Sequence, residues 1–269
     1  MKWTTRCPAK INTFLAVGPV DSRRYHPIRT IFQAVSLADE LTVEIAEEPR
    51  LEVEGMVLPA ENTLTKTLRL YRELIDLPPL KIQLRKEIPA QAGLGGGSTD
   101  AAGLLRILQR IEPDVPWDHA TNVAAAVGAD VPFFLVGGLA KATGYGETLE
   151  PLPNGSRQWL VIAQPAESCS TVAAYQALDA KPYPWRDFPA DLQELYNDFE
   201  RVAPCGSLDL IERLQIHGCS RAGLTGSGSA VFGFCPDEAT AESVAAKLEG
   251  AVFVRVCHTL TREESLWIS

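Results

Sequence analysis

Pro89-Ala-Gln-Ala-Gly-Leu-Gly-Gly-Gly-Ser-Thr-Asp-Ala-Ala-Gly-Leu-Leu105 decides how this chain is read. Glycines at 93, 95, 96 and 97 lead directly into Ala101, Leu104, Leu105, Leu108 and Ile111, an apolar helical pattern that stops before Pro113. Ser98, Thr99 and Asp100 stand where capping residues belong. Such a loop lets backbone N–H groups come close to an anion, and the helix start adds about half a positive charge of macrodipole. The stretch therefore predicts an anion cradle for a nucleotide polyphosphate. It is not a P-loop, because no Lys follows the glycines, and not a dinucleotide fingerprint, whose third Gly would fall on Ser98. Leu80-Lys-Ile-Gln-Leu-Arg85 before it alternates apolar and polar residues, as a half-exposed antiparallel strand does.

Working outward, strands are predicted over 9–17, 30–36, 41–46 and 51–57. Asn62 caps a helix carrying Leu64, Leu68, Tyr71 and Ile75 on one face. A helix over 117–127 ends at Gly128, read as a left-handed cap, and strands follow at 133–136 and 139–143. Pro151, Pro153, Asn154 and Gly155 mark a boundary between domains 1–153 and 154–269. Beyond it the pattern gives a strand at 159–163 and helices near 170–178, 191–202 and 207–216. Strands flank Gly226-Ser-Gly228, a helix covers 238–248 and a strand 252–258. Residues 182–189 read as an irregular surface loop. Interleaved strands and helices in both halves predict an α+β fold with largely antiparallel sheets.

The 269 residues carry a net charge of −9, which argues against a nucleic-acid or membrane-surface partner but leaves room for a locally positive nucleotide cleft. Six scattered cysteines without a C-x-x-C pair exclude metal spacing and favour a reduced, cytoplasmic setting. Met1–Pro8 lacks the apolar core of a signal peptide.

Three further segments bear on chemistry. In Pro8-Ala-Lys-Ile-Asn12, Lys10 and Asn12 share one strand face and Ala9 and Ile11 the other; alone, Lys10 is an ordinary strand lysine. Asp130, in Gly128-Ala-Asp-Val-Pro-Phe-Phe134, either caps a turn or is held ionised by a cation. Leu224-Thr-Gly-Ser-Gly-Ser-Ala230 alone reads as a hairpin. Taken together, a phosphate cradle, one lysine and one aspartate are the minimum for phosphoryl transfer without a P-loop.

Pro8-Ala-Lys-Ile-Asn12, Pro89-x-x-x-Gly-Leu-Gly-Gly-Gly-Ser-Thr-Asp-Ala-Ala102 and Gly226-Ser-Gly-Ser-Ala-Val-Phe232 resemble the three ordered motifs of the GHMP small-molecule kinases. Tyr25-His-Pro-Ile-Arg-Thr-Ile-Phe-Gln33, Gly128-Ala-Asp-Val-Pro-Phe133 and Asn197-Asp-Phe-Glu200 narrow the resemblance to one branch, and the similarity runs from about Cys7 to Cys235. It implies a two-domain fold with an N-terminal half like ribosomal protein S5 domain 2 and a ferredoxin-like C-terminal half. The activity implied is ATP-dependent phosphorylation, with Mg²⁺, of the 2-hydroxyl of a cytidine-diphosphate-linked methylerythritol on the non-mevalonate route to isoprenoids. By the same resemblance Asp130 is the catalytic base and Lys10 its partner. Asn12, Tyr25, His26, Phe32 and Tyr175 contact the substrate, with the cytosine ring between Tyr25 and Tyr175 and His26 on its edge. Pro89, Ala90, Gln91, Ala92, Gly93, Leu94, Gly95, Gly96, Gly97, Ser98 and Thr99 form the ATP loop, and Asn62 lies near the adenosine. Ser98 and Thr99 are candidates to touch Mg²⁺ or the β-phosphate.

Flat rings with nearby hydrogen-bond groups suit a cytosine independently of the resemblance, although Phe32 is equally a core residue and Tyr175 equally a packing residue. Asp21-Ser-Arg-Arg24 departs from the family's Asp-Gly turn, and Thr225 replaces a Ser. The rival readings are a kinase for mevalonate derivatives, homoserine or a sugar, and a catalytically inactive nucleotide-binding protein on the same scaffold. A monomer and a homodimer both fit the sequence.

Overall fold

The computed structural model describes residues 1–73, 75–180 and 183–269. In chain order the elements are β1 (Lys2–Val17), β2 (Ile28–Ile45), β3 (Arg50–Glu54), α1 (Thr63–Arg72), β4 (Leu80–Arg85), α2 (Gly96–Ile111), α3 (Trp117–Val127), α4 (Val131–Val136), β5 (Leu139–Thr143) and β6 (Thr148–Pro151). Then come β7 (Trp159–Gln164), α5 (Thr171–Asp179), β8 (Tyr196–Asn197), α6 (Cys205–His217), β9 (Arg221–Leu224), β10 (Val231–Cys235), α7 (Glu238–Ala245), β11 (Phe253–His258) and α8 (Arg262–Ser265).

Among the described residues two sheets form. The larger runs β3-β4-β2-β1-β8, with β5 also pairing β2 and carrying β6; the smaller runs β11-β7-β10-β9. Pairing is antiparallel except at β3–β4 and β1–β8. The chain leaves the larger sheet after Pro151 and enters the smaller at Trp159. One core packs α1, α2, α3 and α4 on the larger sheet through Leu64, Tyr71, Leu104, Leu105, Leu108 and Phe133. Another joins Ala9, Ile11 and Val35 to Leu160, Ile162, Phe232 and Phe234 of the smaller sheet.

β1 is thus buried on both faces, and it changes its alternation midway. Its register with β2 shifts between Pro8 and Lys10. Cys7 packs with the helices, whereas Ala9 and Ile11 pack on the smaller sheet. Beyond this irregularity Ala9 and Ile11 fill the inter-sheet core, and Lys10 lies over the Phe32 ring and bonds Asn12.

Several sequence expectations need correction. Residues 133–136 belong to helix α4, not a strand; a short apolar run does not distinguish the two, and Pro132 in the first turn favours a helix start. Gly128 is extended (φ 179°) rather than left-handed. Over 191–202 there is no α-helix: Tyr196–Asn197 pairs with β1, and the Asn197 side chain accepts from Phe199 N (3.0 Å) to start a 3₁₀ turn over Asp198–Val202. Ser98, Thr99 and Asp100 do not cap α2; left-handed Gly95 is its N-cap, and they lie inside the helix. The strands expected at 30–36 and 41–46 are one continuous β2. Of the expected loop over 182–189, Pro182 lies outside the described residues.

Candidate active site

The glycines that open α2 are fixed by what surrounds them. Gly93 has φ +75°, and a Cβ there would sit 2.2 Å from Thr225 O. Gly226 (φ +56°) would place its Cβ 3.0 Å from Gly93 Cα, so two glycine turns meet backbone to backbone. Gly95 (φ +76°) leaves room for the Phe134 ring 2.6 Å from its absent Cβ. Lys10 N donates to Leu94 O (3.0 Å) and Ala230 N to Ala92 O (3.3 Å), so the loop is held between β1 and the turn before β10. The first intrahelical bond is Thr99 N to Gly95 O (2.9 Å), leaving the N–H groups of Gly96, Gly97 and Ser98 at the free end of the helix. A phosphate there meets donors and the positive end of the dipole together.

Lys10 rises beside this loop. Its ammonium donates to Asn12 Oδ1 (2.6 Å), lies 3.7 Å from Asp130 Oδ2 and sits 5.3 Å above the Phe32 ring. The lysine side chain is 4 % exposed and the aspartate 33 %, so the amine is embedded while the carboxylate reaches the cleft. Burial pushes the amine below its ordinary value of 10.5, and Asp130 pulls it partly back. Asn12 Oδ1 also accepts from Gly226 N (2.9 Å) and Thr225 Oγ1 (3.3 Å), and its Nδ2 donates to Thr30 Oγ1 (2.7 Å). Asn12 therefore ties the lysine to the third motif, a structural task beyond the substrate contact expected of it.

Lys10, Asn12, Gly93, Gly95, Asp130 and Gly226 line one cleft of about 250 Å³, together with Phe32, Tyr145, Tyr175 and Ser227. A larger cleft of about 500 Å³ opens elsewhere, at Thr13, Gln33 and Arg221, and contains neither the lysine nor the glycine loop. The chemistry selects the smaller one.

The aromatic residues are distributed less simply than a two-ring sandwich. Tyr25 is 66 % exposed, and its ring tilts against Tyr145 at 5.7 Å. Tyr175 stacks on His26 (5.0 Å, 25°) and meets Phe199 edge-on (4.9 Å). His26 bonds Gly18 O through Nδ1 (2.9 Å) and approaches Asp179 through Nε2 (3.4 Å). Phe32 is buried, packed on Phe133 and roofed by Lys10. Asn62 is engaged as a helix cap: its Oδ1 accepts from Leu64 N and Thr65 N, and its Nδ2 donates to Pro59 O. Thr99 is wholly buried, while Ser98 is partly exposed.

Behind the loop lies a buried charge cluster that sequence reading missed. Lys86 Nζ bonds Asp100 Oδ2 (2.7 Å) and Asp39 Oδ2, and Asp39 Oδ1 accepts from Glu87 N (2.6 Å) and Ile88 N (2.8 Å). One ammonium cannot neutralise two buried carboxylates, and burial pushes Asp100 up to about 8. The cluster ties β2, the start of the loop and α2 together. The only sequence signal was a Lys and an Asp flanking the glycines, with no indication of Asp39. Tyr145 was missed as well, because one ring in a turn carries no periodicity.

The family description "GHMP kinases N terminal domain" matches residues 62–138, and "GHMP kinases C terminal" matches 206–254. The chain is 35 % identical over 264 residues to 4-diphosphocytidyl-2-C-methyl-D-erythritol kinase of Moorella thermoacetica, spanning 89 % of this chain and 92 % of that one. It is 36 % identical over 247 residues to the protein of the same name from Thermosipho africanus, spanning 85 % and 89 %. A crystal structure of 4-(cytidine 5'-diphospho)-2C-methyl-D-erythritol kinase superposes with a TM-score of 0.84 at 32 % identity, covering 95 % of this chain and 98 % of that one. L. major mevalonate kinase shares the fold, with a TM-score of 0.71 at 14 % identity over 96 % of each chain.

Proposed function

The chain belongs to the 4-diphosphocytidyl-2-C-methyl-D-erythritol kinase family of GHMP kinases, and from that premise we propose that it transfers the γ-phosphoryl group of ATP to the 2-hydroxyl of 4-diphosphocytidyl-2-C-methyl-D-erythritol, a step of non-mevalonate isoprenoid synthesis carried out in the cytoplasm. The observation that carries the reading is the meeting of Lys10 and Asp130 beside the free N–H groups of α2, in one cleft. Residues 1–153 supply the ATP loop and both reacting side chains, and 154–269 close the cleft with the third motif.

In this reading the triphosphate lies on the amides of 95–98. The acceptor hydroxyl sits against Asp130, whose carboxylate takes its proton as the oxygen attacks the γ-phosphorus; the bond to the β-γ bridging oxygen breaks and ADP leaves. Lys10 offsets the negative charge that the phosphoryl oxygens spread in the transition state. Mg²⁺ would be supplied bound to the nucleotide and would offset the charge of the phosphates. Among the described residues no three His, Cys, Asp or Glu side chains gather to hold a metal of their own, and Asp100 is committed to Lys86. The partly exposed Ser98 hydroxyl at the start of α2 is the side chain that would reach such an ion. Exposed Tyr25, with Tyr145 beside it, offers the flat surface that a cytosine ring requires.

A coupled ADP-release assay tests the reading. Turnover is expected with 4-diphosphocytidyl-2-C-methyl-D-erythritol and none with mevalonate or homoserine; preference for either of the latter overturns it.

A further inference from the structure

We infer that Tyr145 is a positioning and specificity-determining residue of the substrate pocket: through Asp21 it fixes the turn that presents Tyr25, and its own ring forms the adjoining wall. This inference rests on the cytidine-substrate reading above, where Tyr145 only stands beside Tyr25, and gives it a positioning task of its own.

Tyr145 lies in the turn between β5 and β6 and lines the same cleft as Lys10 and Asp130. Its neighbour Gly146 (φ +116°) would place a Cβ 3.8 Å from both Ala129 O and Asp130 Oδ1, so the turn rests against the backbone that carries the carboxylate. From there the side chain reaches across the pocket mouth. The Tyr145 hydroxyl donates to Asp21 Oδ2 (2.5 Å), and its ring meets the Tyr25 ring at 5.7 Å.

Asp21 is what gives this contact consequence. Its other carboxylate oxygen accepts from Arg23 N (2.9 Å) and Tyr25 N (3.1 Å), while its own N–H donates to Tyr25 O (2.8 Å). Arg24 N closes the turn onto Asp21 O (3.0 Å). Arg24 adopts φ +63°, a left-handed conformation that a non-glycine residue holds only when its surroundings impose it. One carboxylate therefore organises the whole 21–25 turn, and the phenol of Tyr145 anchors that carboxylate to the catalytic half of the cleft. Without the anchor, a turn strained at Arg24 keeps its internal bonds but loses its fixed placement relative to Asp130. The exposed ring of Tyr25 would then sample orientations that no longer present one face to a base.

The consequence should appear in the KM of one substrate. Tyr145→Phe keeps the ring and removes the anchor, so KM for 4-diphosphocytidyl-2-C-methyl-D-erythritol is expected to rise about three- to tenfold, the loss of one charge-assisted hydrogen bond at a partly solvated site. KM for ATP, kcat and Tm are expected to stay near wild type. Tyr145→Leu removes the ring as well and should raise the same KM further. Asp21→Asn is the second arm: it weakens the same anchor, and combined with Tyr145→Phe it should add little. A Tyr145→Phe enzyme with unchanged KM for the cytidine substrate overturns the proposal. So does a variant whose two KM values and Tm shift together, which marks Tyr145 as generally structural. If the wild-type protein does not turn over the cytidine substrate, the functional reading itself has failed, an outcome separable from both.

Discussion

The ammonium of Lys10 stands 3.7 Å from the carboxylate of Asp130, and the two come from far apart in the chain: one from the middle of β1, the other from the residue that opens α4. Lys10 follows a register shift in the β1–β2 pairing, and Phe32 beneath it shields the buried amine from water. The pair is asymmetric, a buried cation beside a half-exposed anion. That suits an arrangement in which the carboxylate meets the substrate and the amine acts in a low dielectric.

Burial of Lys10 has two consequences of opposite sign. The amine loses its proton below its ordinary value of 10.5, so kcat is expected to fall on the alkaline side before that pH. Stability behaves otherwise. In the window between the folded value and 10.5 the unfolded chain binds a proton that the folded chain has released, so stability gains from this group as pH rises. Lys10→Met is expected to abolish turnover, to keep or raise Tm at pH 7, and to lack that alkaline gain in calorimetric scans compared with wild type.

Gly95 and Gly97 separate backbone need from space. Gly95→Ala places a methyl 2.6 Å from the Phe134 ring at φ +76° and is expected to cost about 2 kcal/mol or more in urea unfolding, with a raised KM for ATP. At Gly97 φ is ordinary and a Cβ would lie 3.2 Å from the end of the Thr63 side chain. Gly97→Ala should stay within about 1 kcal/mol of wild type in stability.

Asp100 makes stability depend on pH around neutrality. Its folded value is pushed up to about 8 from an ordinary 3.8 by burial, against the pull of Lys86. Between those values the folded chain holds a proton that the unfolded chain has lost, so this group's contribution declines as pH rises from about 4 to 8. Lys86, Asp39 and Cys7 are the charged or titratable groups that interact with it. Asp100→Asn is expected to flatten the fall in Tm between about pH 4 and 8. Lys86→Met strands two carboxylates and should cost about 3–5 kcal/mol.

Tyr25 and Phe32 should part company when each is cut to Ala. Exposed Tyr25 carries no core, so Tyr25→Ala is expected to raise KM for the cytidine substrate by the equivalent of about 1–3 kcal/mol with Tm unchanged. Phe32 is 1 % exposed and packed on Phe133, so Phe32→Ala should lower stability by about 3–5 kcal/mol. Thermal melts beside steady-state kinetics distinguish the two.

The site's chemistry was legible in the sequence where it is local. The glycines announce their loop because few other residues tolerate φ near +75° against a neighbouring backbone, and Lys10 and Asn12 share a face by strand periodicity. The α3 boundaries and the Asn62 cap were legible for the same reason. What tertiary contacts decide was not. The Val131–Val136 run is helical because of its first-turn proline and its packing. Residues 196–197 become a strand only because β1 offers an edge. Asp100 looked like a cap because the residue that neutralises it, Lys86, also needs Asp39, which lies far away in sequence.

Asp130→Asn assayed for single-turnover phosphorylation of 4-diphosphocytidyl-2-C-methyl-D-erythritol, with ATP binding followed by calorimetry on the same preparation, tests the central claim most directly. The expected result is a rate about 10³-fold or more below wild type with ATP affinity within about twofold. A variant that still turns over at near the wild-type rate, or that loses ATP affinity as steeply as rate, contradicts it.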